Sequence, residues 1–75
     1  MNTFDIDRSL LRQMIHENGG IRPFCKRNGI NRQVIYNLLR SSLPDYQTIC
    51  RISEGLSLTE DQITKVFFVR VRDTE

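Results

Sequence analysis

The sequence predicts an all-α domain made of five short helices followed by a short C-terminal tail. Apolar residues recur at helical spacing in five separate segments. Each segment is bounded by capping residues, glycine or proline. The stretch 23–40, PFCKRNGINRQVIYNLLR, joins two such segments through a glycine. With 75 residues, the chain has enough length for one small core, so we expect residues 1–75 to form a single domain.

Composition and cysteine usage narrow the class of protein. Apolar residues make up 39% and charged residues 27% of the chain, as in ordinary globular domains. No apolar run approaches the roughly 20 residues of a membrane span and no signal-peptide core is visible, so we expect a cytoplasmic protein with no membrane partner. Two cysteines and one histidine match no common zinc spacing. We expect Cys25 and Cys50 to be buried free thiols, and no cofactor, metal or small-molecule ligand is indicated.

Helices 1 and 2 are predicted from their caps and glycines. Helix 1 is expected to start after Asp7, which can cap it, and to stop at residues 18–20, Asn-Gly-Gly. Helix 2 is expected from about Pro23 to Asn28, because proline suits the first helical position. Gly29 then turns the chain. The inward-facing residues of these two helices are Leu10, Leu11, Met14, Ile15, Phe24 and Cys25.

Helix 3, predicted from Arg32 to Arg40, has two faces of opposite chemistry. At 100° per residue its apolar residues fall within an arc of about 140°. That arc holds Val34, Ile35, Leu38 and Leu39, and the opposite arc holds Arg32, Gln33, Tyr36, Asn37 and Arg40. Asn31 precedes the helix as a cap, and Ile30 can pack on Ile35 as a hydrophobic staple.

The polar arc of helix 3 is the main indication of function. Arginine forks and the amides of glutamine and asparagine match the guanine and adenine edges exposed in the DNA major groove. The arc contains no acidic residue. Helix 3 is therefore predicted to be a DNA recognition helix; the alternative is an ordinary solvated helix face.

Charge distribution supports the same interpretation, although the net charge is only +2. Between Glu17 and Asp45 the chain has no acid and five cations, whereas all nine acids lie in the flanks. A basic block centred on a helix pair is typical of a polyanion-binding face. Phosphate contacts need charge more than geometry, and the candidates for them are Lys26, Arg27, Asn31, Arg40, Ser41 and Ser42.

The last third of the chain predicts two more helices and a tail. Helix 4 is expected from about Asp45 to Gly55, with Tyr46, Ile49, Cys50, Ser53 and Leu56 on its inner face. Helix 5 begins at the capping box of residues 59–62, Thr-Glu-Asp-Gln. The alternation of apolar and basic residues over 68–72 predicts a short strand, with continued helix as the alternative.

These residues together resemble the Cro/repressor-type (Xre-like) helix-turn-helix family over roughly residues 10–68. The motif's small buried residue, turn glycine and two later apolar residues are matched by Cys25, Gly29, Ile35 and Leu38. Leu56, Ser57, Leu58, Thr59, Ile63, Phe67 and Phe68 also resemble phage and mobile-element members. Cys25 stands where alanine is common, and Arg22-Pro23 stand where the family has a polar cap and a glutamine.

The resemblance implies a five-helix Cro-like fold and a small transcriptional regulator, most simply a repressor that occupies an operator overlapping a promoter. Base contacts would come from Arg32, Gln33, Tyr36 and Asn37, in double-stranded DNA. Tyr36 could contact a thymine methyl or a phosphate, or could cover its neighbours.

We also expect a homodimer on a palindromic site, because a 75-residue chain leaves apolar side chains uncovered near its end. The interface is expected to include Phe67, Phe68, Val69 and Val71. The alternative function is a protein-interaction module, an antitoxin or assembly factor, that reuses this fold. An enzyme is not expected, since no nucleophile–base pair, paired carboxylate or phosphate loop is visible.

Overall fold

The computed structural model describes residues 3–71 and contains five α-helices and a two-stranded antiparallel sheet. This confirms the prediction of a five-helix, all-α fold with a C-terminal strand. In chain order the elements are β1 (Thr3–Asp5), α1 (Arg8–Glu17), α2 (Ile21–Asn28), α3 (Arg32–Arg40), α4 (Tyr46–Gly55), α5 (Glu60–Phe67) and β2 (Val69–Val71).

One hydrophobic core is built from all five helices. Its buried side chains are Ile6, Leu11, Ile15, Phe24, Cys25, Ile35, Leu38, Leu39, Ile52, Val66 and Phe67. Cys25 is a buried free thiol as predicted, and burial raises its pKa. Cys50 is also a free thiol but is only half-buried.

The predicted caps explain where most helices begin. The Asp7 side chain accepts a hydrogen bond from the Leu10 N–H at 3.0 Å. The Thr59 hydroxyl accepts from the Gln62 N–H, while the Gln62 side chain accepts from the Thr59 N–H, which completes the capping box. Asp45 caps α4 through the Thr48 N–H, so that helix begins at residue 46, one position after the predicted start.

Helix α2 begins at Ile21, and the predicted start at Pro23 is wrong by two residues. Gly20 ends the preceding turn with a positive φ of 99°, which lets the helix start directly after it. Pro23 therefore occupies the third helical position. Its missing N–H costs nothing there, because the first N–H bonded within the helix belongs to Phe24.

Two side chains predicted to face inward are exposed. Val34 lies at the edge of the apolar arc of α3 and is 41% exposed, since Ile35 and Leu39 hold the centre of the buried face. Tyr46 is 82% exposed because it occupies the first position of α4, and side chains there point back beyond the N-terminal end of the helix.

The predicted C-terminal strand is confirmed, and its partner is the N-terminal strand β1, which the sequence did not indicate. Phe4 lies opposite Arg70 in the antiparallel register, and Asp5 lies opposite Val69. The rings of Phe4 and Phe68 meet edge to face with centroids 6.2 Å apart. Both rings remain substantially exposed, Phe4 at 53% and Phe68 at 43%.

Phe67 is not available to a second chain. Its side chain is 4% exposed and belongs to the core, so its assignment to a dimer interface is wrong. Phe68 is exposed and Val69 is half-buried, whereas the Val71 side chain lies outside the described part of the structure.

Helices α2 and α4 approach each other closely at Gly55. A Cβ atom on Gly55 would lie 2.7 Å from the Asn28 side-chain carbon Cγ. Asn28 has little freedom to move away, because its side-chain amide donates to the Phe24 carbonyl at 2.8 Å. Residue 55 therefore has room for a side chain only if the Asn28 amide moves and gives up this hydrogen bond.

We expect Gly55→Ala to lower the free energy of unfolding by about 1–3 kcal/mol, because overpacking exceeds the helix propensity that alanine gains. Urea denaturation followed by circular dichroism measures this change. The penalty should largely disappear in an Asn28→Ala background, and the exposed neighbour substitution Glu54→Ala should change stability little. An increase in stability in Gly55→Ala alone would contradict the close approach.

Candidate nucleic-acid interface

The turn between α2 and α3 fixes how α3 leaves the body of the domain. Gly29 adopts the left-handed conformation, with φ 64°, that a helix C-terminus favours. The Ile30 N–H bonds to the Cys25 carbonyl at 3.0 Å. The Asn31 side chain then accepts from the Gln33 N–H at 2.8 Å and starts the next helix. Residues 21–40 therefore form two helices joined by a glycine turn, as predicted for the stretch 23–40.

The four predicted base-contacting residues all lie on the outward face of α3. Arg32, Gln33 and Tyr36 are exposed and Asn37 is half-buried. Gln33 Nε2 donates to Asn37 Oδ1 at 3.1 Å. Neither the Gln33 amide oxygen, an acceptor, nor the Asn37 amide nitrogen, a donor, takes part in this hydrogen bond. An adenine edge in the major groove needs that combination.

The predicted phosphate-contacting residues lie in α2, in α3 and next to its two ends, and all are exposed: Lys26, Arg27, Asn31, Arg40, Ser41 and Ser42. Arg27 donates to the Asn18 carbonyl at 2.9 Å, which ties it to the end of α1. Within residues 3–71, Lys26 and Arg40 form no ion pair. Among the described residues, no carboxylate therefore compensates either charge at close range.

A cleft of about 430 Å³ lies between α2 and the beginning of α3. Three cations line it, Arg22, Lys26 and Arg32, together with the capping residue Asn31, and no acidic residue does. Arginine and lysine side chains arranged in this way can donate several charge-assisted hydrogen bonds to phosphate oxygens. Arg22 was not among the residues predicted to contact phosphate.

Two arginines that the sequence did not single out hold α3 at both ends. Arg8 donates through Nε to the Leu38 carbonyl at 2.9 Å and through Nη2 to the Ser42 carbonyl at 3.1 Å. These carbonyls belong to the last turn of α3 and the loop after it. Arg51 in α4 donates to the Gly29 carbonyl at 3.0 Å, in the turn before α3.

The position of Arg8 in the first turn of α1 weakly indicates that its side chain bonds outside its own helix. A cation in the first turn of a helix opposes the helix dipole, so an arginine directly after the Asp7 cap is unfavourable within its own helix. Its guanidinium instead donates hydrogen bonds at the C-terminal end of α3, where the helix dipole is negative. Arg8 also forms an ion pair with Asp5 of β1 at 3.2 Å.

The Asp5 carboxylate is stabilised in its charged form. Its Oδ1 accepts from the Ile6 N–H at 2.7 Å and from Arg8 at 3.2 Å. The backbone hydrogen bond and the guanidinium lower the pKa of Asp5. Because the unfolded chain binds this proton more tightly, the ionised form of Asp5 adds stability above the ordinary aspartate pKa.

No three His, Cys, Asp or Glu side chains among residues 3–71 come close enough together to hold a metal ion. Over the same residues, no helix is both long and apolar enough to cross a membrane.

No protein-family model, curated protein or solved structure matches the chain. A function for the chain is therefore inferred from the chemistry of the α3 face and its surroundings.

We expect Arg8→Ala to lower the free energy of unfolding by about 1–2 kcal/mol, because two carbonyls at the end of α3 lose a charged donor. Hydrogen exchange at the Ser41 and Ser42 amides, which bond to the Asn37 carbonyl, should become faster. Arg12→Ala, on the exposed side of the same helix, is the matched control. Unchanged exchange at both serines would show that Arg8 does not hold this end of α3.

The pH dependence of stability should reveal the lowered pKa of Asp5. We expect the stability difference between wild type and Asp5→Asn to be constant above about pH 5 and to shrink as the pH falls below about 4. Denaturant titrations at a series of pH values measure it. A difference that stays constant down to pH 2 would contradict a lowered pKa.

Proposed function

We infer that the protein is a sequence-specific, double-stranded DNA-binding transcriptional regulator that places α3 in the major groove. The observation that carries this proposal is the outward face of α3, where Arg32, Gln33, Tyr36 and Asn37 lie together. An α-helix with its side chains is about 10–12 Å in diameter and fits the major groove, which is about 12 Å wide. The 9 residues of α3 make it about 14 Å long.

The chemistry of this face favours base reading over a merely solvated surface. Gln33 and Asn37 are hydrogen-bonded to each other, so their amides are oriented before any ligand binds. Preorganised side chains lose less conformational entropy on binding. Arg32, in the first turn of α3, has the bidentate fork that guanine O6 and N7 require.

The surroundings of α3 favour a polyanionic ligand. The cleft beside it is lined by Arg22, Lys26 and Arg32, and further exposed cations lie on both sides. DNA phosphates supply the complementary charge, and such contacts position a protein on the duplex without reading sequence. The fold and this basic surface agree with the resemblance to Cro/repressor-type regulators.

The proposal includes a homodimer that represses transcription by occupying a palindromic operator. The sheet formed by β1 and β2 offers the exposed rings of Phe4 and Phe68 as the apolar part of an interface. Twofold symmetry would separate the two copies of α3 by about 34 Å, one turn of the duplex. Sedimentation equilibrium of wild type and Phe68→Ser tests this part separately.

The alternative, a protein-interaction module, uses the same cationic face to bind an acidic protein surface. It predicts binding to DNA without base preference. The two functions are therefore distinguished by sequence selectivity and not by affinity for DNA alone.

Selection from a randomised duplex library across a salt series tests the proposal. We expect a palindromic motif to be enriched, and Arg32→Ala and Gln33→Ala to weaken binding to it about five- to 150-fold and to relax selectivity at the bases they contact. Lys26→Ala should weaken binding to all sequences and reduce the salt slope by about one.

Lys65→Gln is the matched control, since it removes an exposed cation from α5, away from the α3 face. It should leave the enriched motif and its affinity almost unchanged. Equal binding to all duplexes that moderate salt abolishes would contradict sequence-specific recognition and favour the protein-interaction module.

A further inference from the structure

A groove of about 640 Å³ lies beside α3, between α1 and the beginning of α2. Its volume is within the range of small-molecule sites, about 300–1,000 Å³. Sequence patterns do not reveal this groove, because its walls come from three helices. Helix α1 contributes Arg12 and His16, the first turn of α2 contributes Ile21, Arg22 and Pro23, and α3 contributes Tyr36.

The polar part of this groove is cationic. Arg12 and Arg22 enter it from different helices, and no lining residue is acidic. Within residues 3–71 neither arginine forms an ion pair. Two guanidinium groups free of carboxylates match the oxygens of a phosphate group, to which arginine donates in bidentate fashion. The imidazole of His16 adds a further nitrogen.

The rest of the groove is apolar. Ile21 is partly buried and packs on the core, while Pro23 and the ring of Tyr36 are exposed around it. An aromatic ring and a proline ring offer stacking surfaces to a planar group. The groove therefore combines charged donors with an apolar wall, as small-ligand sites do.

We propose that this groove binds a small phosphate monoester that carries an aromatic or apolar body. Arg12 and Arg22 bind the phosphate oxygens, and the body of the ligand lies against Ile21, Pro23 and the Tyr36 ring. Tyr36 belongs both to this groove and to the outward face of α3, so the bound ligand competes with DNA. Only this competition rests on the proposed function; the binding of the phosphate monoester does not.

Titration of the ¹⁵N-labelled protein with phenyl phosphate, in the absence of DNA, tests the site directly. We expect saturable amide shifts at Arg12, Arg22 and Tyr36. Phenol and inorganic phosphate each supply half of the proposed chemistry and should bind at least about tenfold more weakly. Shifts that do not saturate, or that spread over the whole surface, would overturn the proposal.

Single substitutions separate the site from general charge effects. Arg12→Ala and Arg22→Ala should each weaken phenyl phosphate binding about tenfold, whereas Lys65→Gln should not change it. Both arginines are exposed, so the variants should fold normally. Equal weakening by all three substitutions would overturn the proposal.

Duplex DNA distinguishes this inference from the proposed function. Saturable phenyl phosphate binding without any sequence-selective DNA binding would support the groove and contradict the proposed function. If Arg12→Ala and Arg22→Ala weakened DNA binding while phenyl phosphate did not bind, the groove would hold a backbone phosphate and the small-ligand proposal would be overturned. Sequence-selective binding of a duplex, together with its displacement by phenyl phosphate, would support both.

Discussion

Burial of one face of α3 determines which of its side chains can meet a ligand. Ile35, Leu38 and Leu39 are between 0% and 6% exposed and contact core residues from the other helices. Each buried aliphatic side chain of this kind contributes about 1.5–3 kcal/mol to the free energy of unfolding. Rotation of the helix about its axis would expose these side chains and lose that contribution. The helix is therefore fixed about its own axis. The polar residues Arg32, Gln33 and Tyr36 must then face outward.

Hydrogen bonds from neighbouring helices fix the same helix along its length. Arg51 holds the Gly29 carbonyl before α3, and Arg8 holds the Leu38 and Ser42 carbonyls at its other end. Because Arg8 is also paired with Asp5, the small sheet and the loop after α3 share one guanidinium group.

The parts of this molecule that the sequence predicts correctly depend on short-range chemistry. The caps at Asp7, Asn31 and Thr59 bond to N–H groups two or three residues away, so residue types and spacing were enough to locate them. Periodicity alone placed Ile35 and Leu39 in the core. Periodicity wrongly predicts that Val34 and Tyr46 face inward. Val34 lies at the edge of the apolar face of α3 and Tyr46 at the first position of α4, where the neighbouring elements decide how exposed a side chain is.

The features that the sequence did not reveal all depend on contacts between distant residues. Strand β1 is three residues long and exists through its pairing with β2 at the other end of the chain. Arg8 meets carbonyls 30 and 34 residues away. The groove beside Tyr36 forms only when α1, α2 and α3 pack together. Of the candidate interface, the polar outward face of α3 was visible in the sequence, whereas the position of Arg22 in the cleft and the groove were not.

Intermolecular NOEs between the protein and a duplex selected for binding would test the central claim, that the outward face of α3 reads bases, most directly. The side-chain amides of Gln33 and Asn37 should show NOEs to base protons in the major groove. The exposed rings of Phe4 and Phe68 should show none. NOEs confined to sugar protons, or contacts with DNA that leave both amides unaffected, would contradict it.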